Sequence, residues 1–97
     1  MDEPRIRARV FLSVPEEPTL VGDIFMTAHL MSRDYLVSTD FGLSLRWLEN
    51  EGLVSKDGAK FCLTAAGVAL RDRTLSSSST DTWDKVTEYF RQRHPNI

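Results

Sequence analysis

The chain has 97 residues, of which 41% are hydrophobic and 27% are charged, and its formal net charge at pH 7 is −2. This length and composition are typical of one soluble globular domain with a modest core. The mildly acidic balance excludes a domain that is basic overall, so any binding to DNA must rely on a local basic patch.

The cysteine content and the hydropathy indicate a compartment. Cys62 is the single cysteine, so it cannot form an internal disulfide, which is consistent with a reducing environment. No apolar run approaches the roughly 20 residues that span a bilayer, and the first residues lack the apolar core and cleavage site of a signal peptide. We therefore expect a cytoplasmic protein with no membrane partner.

The segment from Arg5 to Val14 fits two patterns. Its apolar residues alternate from Ile6 to Leu12, as in a strand, but Ile6 and Val10 also have the four-residue spacing of a helix. The alternation favours a strand for the first half of the segment. The following sequence PEEP contains two prolines, which end either kind of element.

Residues 19–32 predict a helix that begins with Thr19 as a possible cap. Apolar residues occur on most of its sides. A helix of this kind usually lies at the centre of a small domain.

The next helix is predicted from Thr39 to Asn50, with its cap among residues 38–40. Gly52 follows it, and glycine commonly supplies the left-handed residue that ends a helix. At 100° per residue, three apolar side chains fall on the buried face of this helix: Phe41, Leu45 and Leu48.

Residues 55–63 predict a β-hairpin, because the Asp57-Gly58 pair is a favoured turn between two short extended runs. Thr64 is suited to cap the helix that follows, which contains Gly67.

The C-terminal part divides into a linker and a helix. Residues 74–81 are rich in serine and predict a polar linker. Residues 82–97 predict an amphipathic helix that can pack on its own domain or pair with a second chain. Its apolar stripe consists of Trp83, Val86, Tyr89 and Phe90.

The sequence contains no catalytic arrangement that we can identify. It has no glycine-rich phosphate loop, no base is placed near Cys62 to activate it, and the acidic residues show no metal-ligand spacing. We therefore expect a protein that is not an enzyme and that uses neither a metal nor another cofactor.

The order helix, helix, glycine stop, hairpin, helix is that of a winged helix-turn-helix. Residues 45–70, LRWLENEGLVSKDGAKFCLTAAGVAL, resemble the pattern shared by the MarR, PadR and related bacterial regulators. Those families have an L-x-x-L-E-x-x-G-L-[VI] helix end, a charged wing, and an L-T-x-x-G-x-x-L step from strand to helix. The matching residues are Leu45, Leu48, Glu49, Gly52, Leu53, Val54, Leu63, Thr64, Gly67 and Leu70.

The resemblance implies an α+β, mainly helical fold. Residues 1–73 would form a winged helix-turn-helix domain with a short two-stranded wing, followed by the linker and an extra C-terminal helix. It also implies a homodimer, since such regulators often dimerise through terminal helices. The dimer contacts would then come from Trp83, Val86, Tyr89 and Phe90.

The resemblance further implies a sequence-specific transcriptional regulator that binds double-stranded DNA. The helix from Thr39 to Asn50 would enter the major groove, where Arg46 suits a guanine edge and Asn50 an adenine edge. A dimer would then read two half-sites about one DNA turn apart. The expected contacts in the helix and wing are Ser38, Thr39, Leu43, Arg46, Trp47, Asn50, Lys56 and Lys60.

The local charge supports an alternative. From Ser38 to Lys60 there are three cationic and four acidic side chains, a net charge of −1, whereas affinity for DNA rests largely on neutralising phosphates. Leu43 and Trp47 stand one turn apart, away from the apolar stripe. The alternative is a winged-helix module that does not bind DNA and docks another protein around these two residues. Trp47 could also simply pack beneath the N-terminal segment.

Overall fold

The computed structural model describes residues 3–31, 36–75 and 82–92. These residues form an α+β, mainly helical fold in which three short strands make one antiparallel sheet of order β1-β3-β2. The elements in chain order are α1 (Glu3–Ser13), β1 (Thr19–Leu20), α2 (Val21–Met31), α3 (Ser38–Asn50), β2 (Val54–Asp57), β3 (Lys60–Leu63), α4 (Ala65–Leu75) and α5 (Thr82–Gln92).

The first element, α1, is a helix along its whole length, so the strand predicted for its first half is wrong. The physical reason is that α1 packs against α2, α3 and α5. Because these helices cover several of its sides, buried residues occur at two-residue as well as four-residue spacing. The spacing of the buried residues in α1 therefore resembles the two-residue alternation of a strand. The buried apolar residues of this helix are Ile6, Ala8, Val10 and Phe11, and Val14 directly after it is also buried.

The segment after the prolines also starts differently from the prediction. Thr19 and Leu20 form β1 and pair with β3, and the Thr19 hydroxyl donates to the Glu17 carbonyl oxygen at 2.9 Å instead of capping a helix. The helix α2 begins at Val21, whose backbone N–H donates to the Ala59 carbonyl oxygen at 3.0 Å.

The helix α2 buries one face only. Ile24 and Ala28 are buried, whereas Leu30 is 76% exposed. The central helix of the domain is therefore α1, and the prediction of a central position for α2 is wrong. Phe25 of α2 packs edge-to-face on Phe41 of α3, with ring centroids 5.0 Å apart.

The helix α3 buries Phe41, Leu45 and Leu48, which confirms the predicted face. Its N-cap is Val37 and no side chain caps it, so the predicted capping by residues 38–40 is wrong.

As predicted, Gly52 is the left-handed residue that follows the end of α3. This glycine has a φ of 76°. Its N–H donates to the Glu49 carbonyl oxygen, and the Leu53 N–H donates to the Leu48 carbonyl oxygen, both at 3.0 Å. These two bonds form a Schellman motif, which turns the chain into β2.

A small set of contacts fixes α4 to the junction between α3 and β2. The Thr64 hydroxyl accepts the Gly67 N–H at 3.1 Å, which confirms the predicted cap, and donates to the Gly52 carbonyl oxygen at 2.6 Å. Gly67 lies directly against the chain at Leu53, because a Cβ atom on it would overlap the Leu53 carbonyl oxygen. The junction between β3 and α4 is therefore held by the Thr64 hydroxyl and by the close approach of Gly67 to the backbone of Leu53.

The guanidinium of Arg71 links α4 to the proline-bounded loop. It donates to the Glu16 carboxylate at 2.8 Å and to the Asp72 carboxylate at 3.2 Å. The hydrogen bond to Glu16 is the main cause that raises the pKa of Arg71 above its ordinary value. Because these carboxylates are largely exposed, the network stabilises the fold only modestly.

The last helix, α5, belongs to the same core as the rest of the domain. Val86 and Phe90 are fully buried, and the Phe90 ring meets the Phe11 ring edge-to-face at 5.6 Å between centroids. The helix α4 extends to Leu75, into the predicted linker. The remaining linker residues, 76–81, and residues 93–97 of the predicted last helix lie outside the described residues.

Candidate nucleic-acid interface

The solvent face of α3 carries most of the residues predicted to contact DNA. Opposite the buried stripe of this helix, Leu43 is 59% exposed. The other exposed side chains expected to contact DNA from α3 are Ser38, Thr39, Arg46 and Asn50. The side chains of Thr39, Leu43, Arg46 and Asn50 therefore face outward, and α3 offers one continuous face to a partner.

Trp47 lies at the edge of this face and is half-buried. The guanidinium carbon of Arg7 in α1 lies 4.4 Å from its ring centroid, and the Phe90 ring of α5 meets it edge-to-face at 5.2 Å. Trp47 thus packs beneath the N-terminal helix. This was the alternative to a contact of Trp47 with DNA or with another protein.

The apolar surface predicted around Leu43 and Trp47 is correspondingly small. Leu43 is the strongly exposed member of that pair, and the hollow beside it is lined by one apolar residue of α1 and by polar and charged groups. These lining residues are Ile6, Arg7, Asp40 and Ser44.

A groove of about 250 Å³ separates α3 from the hairpin. Arg46 of α3 and Lys56 of β2 both line it, so two residues predicted to contact DNA meet on one concave surface from different elements. The rest of the lining is mostly apolar and comes from α2, α3 and β3: Val21, Phe41, Gly42, Leu45, Glu49 and Phe61.

The hairpin separates its two lysines. Lys56 lies opposite Phe61, and Lys60 lies opposite Asp57. Directly opposed residues of an antiparallel pair project to the same side, and neighbours along a strand project to opposite sides. Lys56 therefore faces the groove with Phe61, whereas Lys60 projects from the outer side of the hairpin with Asp57.

The net charge of the groove differs from that of the whole segment from Ser38 to Lys60. Arg46 and Lys56 contribute two positive charges, and Glu49 contributes one negative charge, so the groove carries a net charge of +1. The acidic Asp57 projects from the other side of the hairpin. Among the hairpin residues that the structure describes, the side that faces α3 thus carries Lys56 and no acidic side chain.

Sequence reasoning did not assign Glu49 or Phe61 to this surface. A signal for Phe61 was present, because it lies two residues before Leu63 on the same side of β3. The turn consists of Gly58 and Ala59, so the predicted Asp57-Gly58 pair is wrong by one residue, and this register places Phe61 opposite Lys56. Glu49 lies one turn after Leu45, so its position on the flank of α3 was readable from the helical period.

The apolar residues of α5 that were expected to contact a second chain pack largely within the domain. Val86 and Phe90 have no exposed surface, because they fill the core against α1, and Tyr89 is half-buried. These side chains are therefore not available to a second copy while α5 is docked. The side chain of Trp83 lies outside the part of the chain that the structure describes.

Two further properties concern only the described residues. Over residues 3–31, 36–75 and 82–92, no cluster of three or more histidine, cysteine, aspartate or glutamate side chains is placed to hold a metal ion. Within the same ranges, no helix has the length and apolar character needed to cross a membrane.

No protein-family model matches this chain. Comparisons with the curated proteins and with the solved structures also return no significant match.

Proposed function

We propose that this protein is a winged helix-turn-helix protein that binds double-stranded DNA and regulates transcription. The observation that carries the proposal is the convergence of Arg46 and Lys56 on one groove beside the exposed face of α3. The element order α2-α3-β2-β3-α4 supports it, because it is the order helix, helix, hairpin, helix that the sequence and its resemblance to the MarR and PadR regulators predicted.

The dimensions of α3 suit the major groove. Its 13 residues give a helix about 20 Å long, and the major groove, about 12 Å wide, admits one α-helix. Arg46 and Asn50 lie four residues apart on the exposed face, which corresponds to a rise of about 6 Å. They therefore reach bases about two steps apart, with Arg46 on guanine and Asn50 on adenine.

The wing contributes a backbone contact through Lys56. This lysine faces the same groove as Arg46, so its ammonium lies on the side of the hairpin along which DNA bound to α3 would run. Lys60 projects from the opposite side of the hairpin beside Asp57. We therefore assign the phosphate contact to Lys56 and a smaller role to Lys60.

The two lysines provide a matched pair of variants. In a fluorescence-anisotropy titration against mixed duplex DNA at several salt concentrations, Lys56→Ala should lower the salt slope by about 1, because one phosphate contact is lost. Lys60→Ala removes the same charge from the outer side and should change the slope less. Failure of the unmodified protein to bind DNA even at low salt would reject the proposal.

The competing function is that of a protein-docking module. The observation that favours it is Leu43, which is 59% exposed beside Ile6 and Asp40. On this proposal, binding to a partner protein tolerates added salt and is weakened by Leu43→Ala, whereas Arg46→Ala has little effect. On the DNA proposal, Arg46→Ala costs about 1–3 kcal/mol of specific binding.

A further inference from the structure

Gly42 is a glycine in the interior of α3, a helix with one buried and one exposed face. It is the fifth of the 13 residues of α3, and it faces solvent. Glycine in a helix interior lowers stability relative to alanine, because the unfolded chain has more conformations to lose. A structural or functional reason is therefore expected for its presence.

Three of the other glycines have internal reasons for being glycine. Gly52 and Gly58 have positive φ values of 76° and 62°, and Gly67 lies against the Leu53 carbonyl oxygen. A Cβ atom on Gly42 would have no heavy atom within 4 Å apart from the adjacent backbone of its own helix, and its φ is not in the left-handed region. The fold itself therefore does not require glycine at position 42.

Gly22 shares these open surroundings, but it is the second residue of α2, so it lies in the first turn of its helix. Gly42 thus stands apart as an exposed glycine, deep in a helix, that the fold does not explain.

The position of Gly42 relates it to the candidate interface. It lines the groove together with Arg46, which lies one turn further along α3, and with Lys56 of the hairpin. Thr39 lies three residues before it on the same exposed side. Gly42 thus leaves α3 without a side chain on the flank of its exposed face that borders the groove, next to Arg46.

We propose that Gly42 is the point at which the backbone of α3 comes closest to the DNA, so that it is a positioning residue for the contacts of Arg46 and Lys56. This inference rests on the proposed function. A side chain at position 42 would hold the helix away from the base pairs. Arg46 could then no longer reach a base edge while Lys56 reaches the phosphates.

The proposal predicts opposite effects on stability and on binding. Gly42→Ala should raise Tm by about 4 °C, because it favours the helix and meets no neighbour. The same variant should bind duplex DNA about tenfold more weakly, which is the loss expected for one poorly formed base contact. Gly42→Leu should abolish detectable binding and leave the protein folded.

Ala69→Leu is the control, since it adds bulk to an exposed position of α4 that does not line this groove. It should bind DNA as the unmodified protein does. If the unmodified protein binds DNA and Gly42→Ala binds equally well, the inference is rejected and the proposed function stands. A lower Tm for Gly42→Ala would also reject the inference, because the glycine would then serve the fold. If the unmodified protein does not bind DNA, the proposed function fails, and the inference fails with it.

Discussion

The guanidinium carbon of Arg7 lies 4.4 Å from the centroid of the Trp47 ring, an arrangement in which the cation is attracted to the face of the indole. The Phe90 ring meets the same indole edge-to-face. Trp47 therefore joins α3 to both α1 and α5. It directly follows Arg46, for which we propose a contact with DNA.

The first prediction concerns this junction. Trp47→Ala should lower the free energy of unfolding by about 2–3 kcal/mol, because it removes a half-buried aromatic side chain from between three helices. Urea denaturation followed by circular dichroism measures the change. Leu43→Ala, four residues earlier on the exposed face, serves as the control and should change stability by less than about 0.5 kcal/mol. Equal effects of the two substitutions would contradict the packing described for Trp47.

The second prediction concerns the close approach of α4 to Leu53. Gly67→Ala should destabilise the protein by about 1–3 kcal/mol, since a Cβ atom would overlap a backbone oxygen and the helix must shift to accommodate it. Thermal denaturation tests this expectation. Gly22→Ala introduces the same methyl group where no atom lies within 4 Å, and it should not lower Tm. An unchanged Tm for Gly67→Ala would show that the junction is looser than described.

The third prediction concerns α5. Phe90→Ala should cost about 3–5 kcal/mol of stability, because the ring is fully buried among Phe11, Trp47 and Tyr89. Denaturation and sedimentation together test the role of this side chain. A variant that keeps its stability but sediments with the mass of a smaller assembly would show that Phe90 serves a dimer interface instead. Gln92→Ala, at an exposed position of the same helix, should change neither quantity.

The fourth prediction concerns Arg71. Its hydrogen bond to Glu16 raises the pKa of Arg71, so the stability contributed by this cation is present below the ordinary pKa of arginine and is lost only as pH rises through the raised value. Between neutral and moderately alkaline pH the contribution should therefore be constant. Arg71→Met should cost less than about 1 kcal/mol, and added salt should reduce that cost. A cost that varies between pH 7 and pH 9 would contradict this assignment.

The sequence predicted the features that local patterns determine. The buried face of α3 follows from the spacing of Phe41, Leu45 and Leu48, and the end of this helix follows from Gly52. The place of the hairpin follows from Gly58 and the short extended runs on either side of it, although its two turn residues are Gly58 and Ala59 and not the predicted Asp57-Gly58 pair. In each case neighbouring residues carry the whole signal.

The features that escaped prediction depend on distant parts of the chain. Several helices cover α1, so its burial pattern resembles the alternation of a strand. The resemblance placed Phe90 at a dimer interface, and its contacts with Phe11 and Trp47 instead realise the alternative, in which the last helix packs on its own domain. The meeting of Arg46 with Lys56 required the packing of the hairpin beside α3, which no local pattern specifies.

The packing of Phe90 on Phe11 also bears on how the protein is made. These two residues are separated by 79 positions in the chain, so at about 5–20 residues per second a ribosome adds the second roughly 4–16 s after the first. During that interval α1 lacks the helix that covers it, and its apolar side chains are open to other molecules. The domain should therefore acquire its native core only late in synthesis, and the growing chain is a natural substrate for chaperones that shield apolar segments.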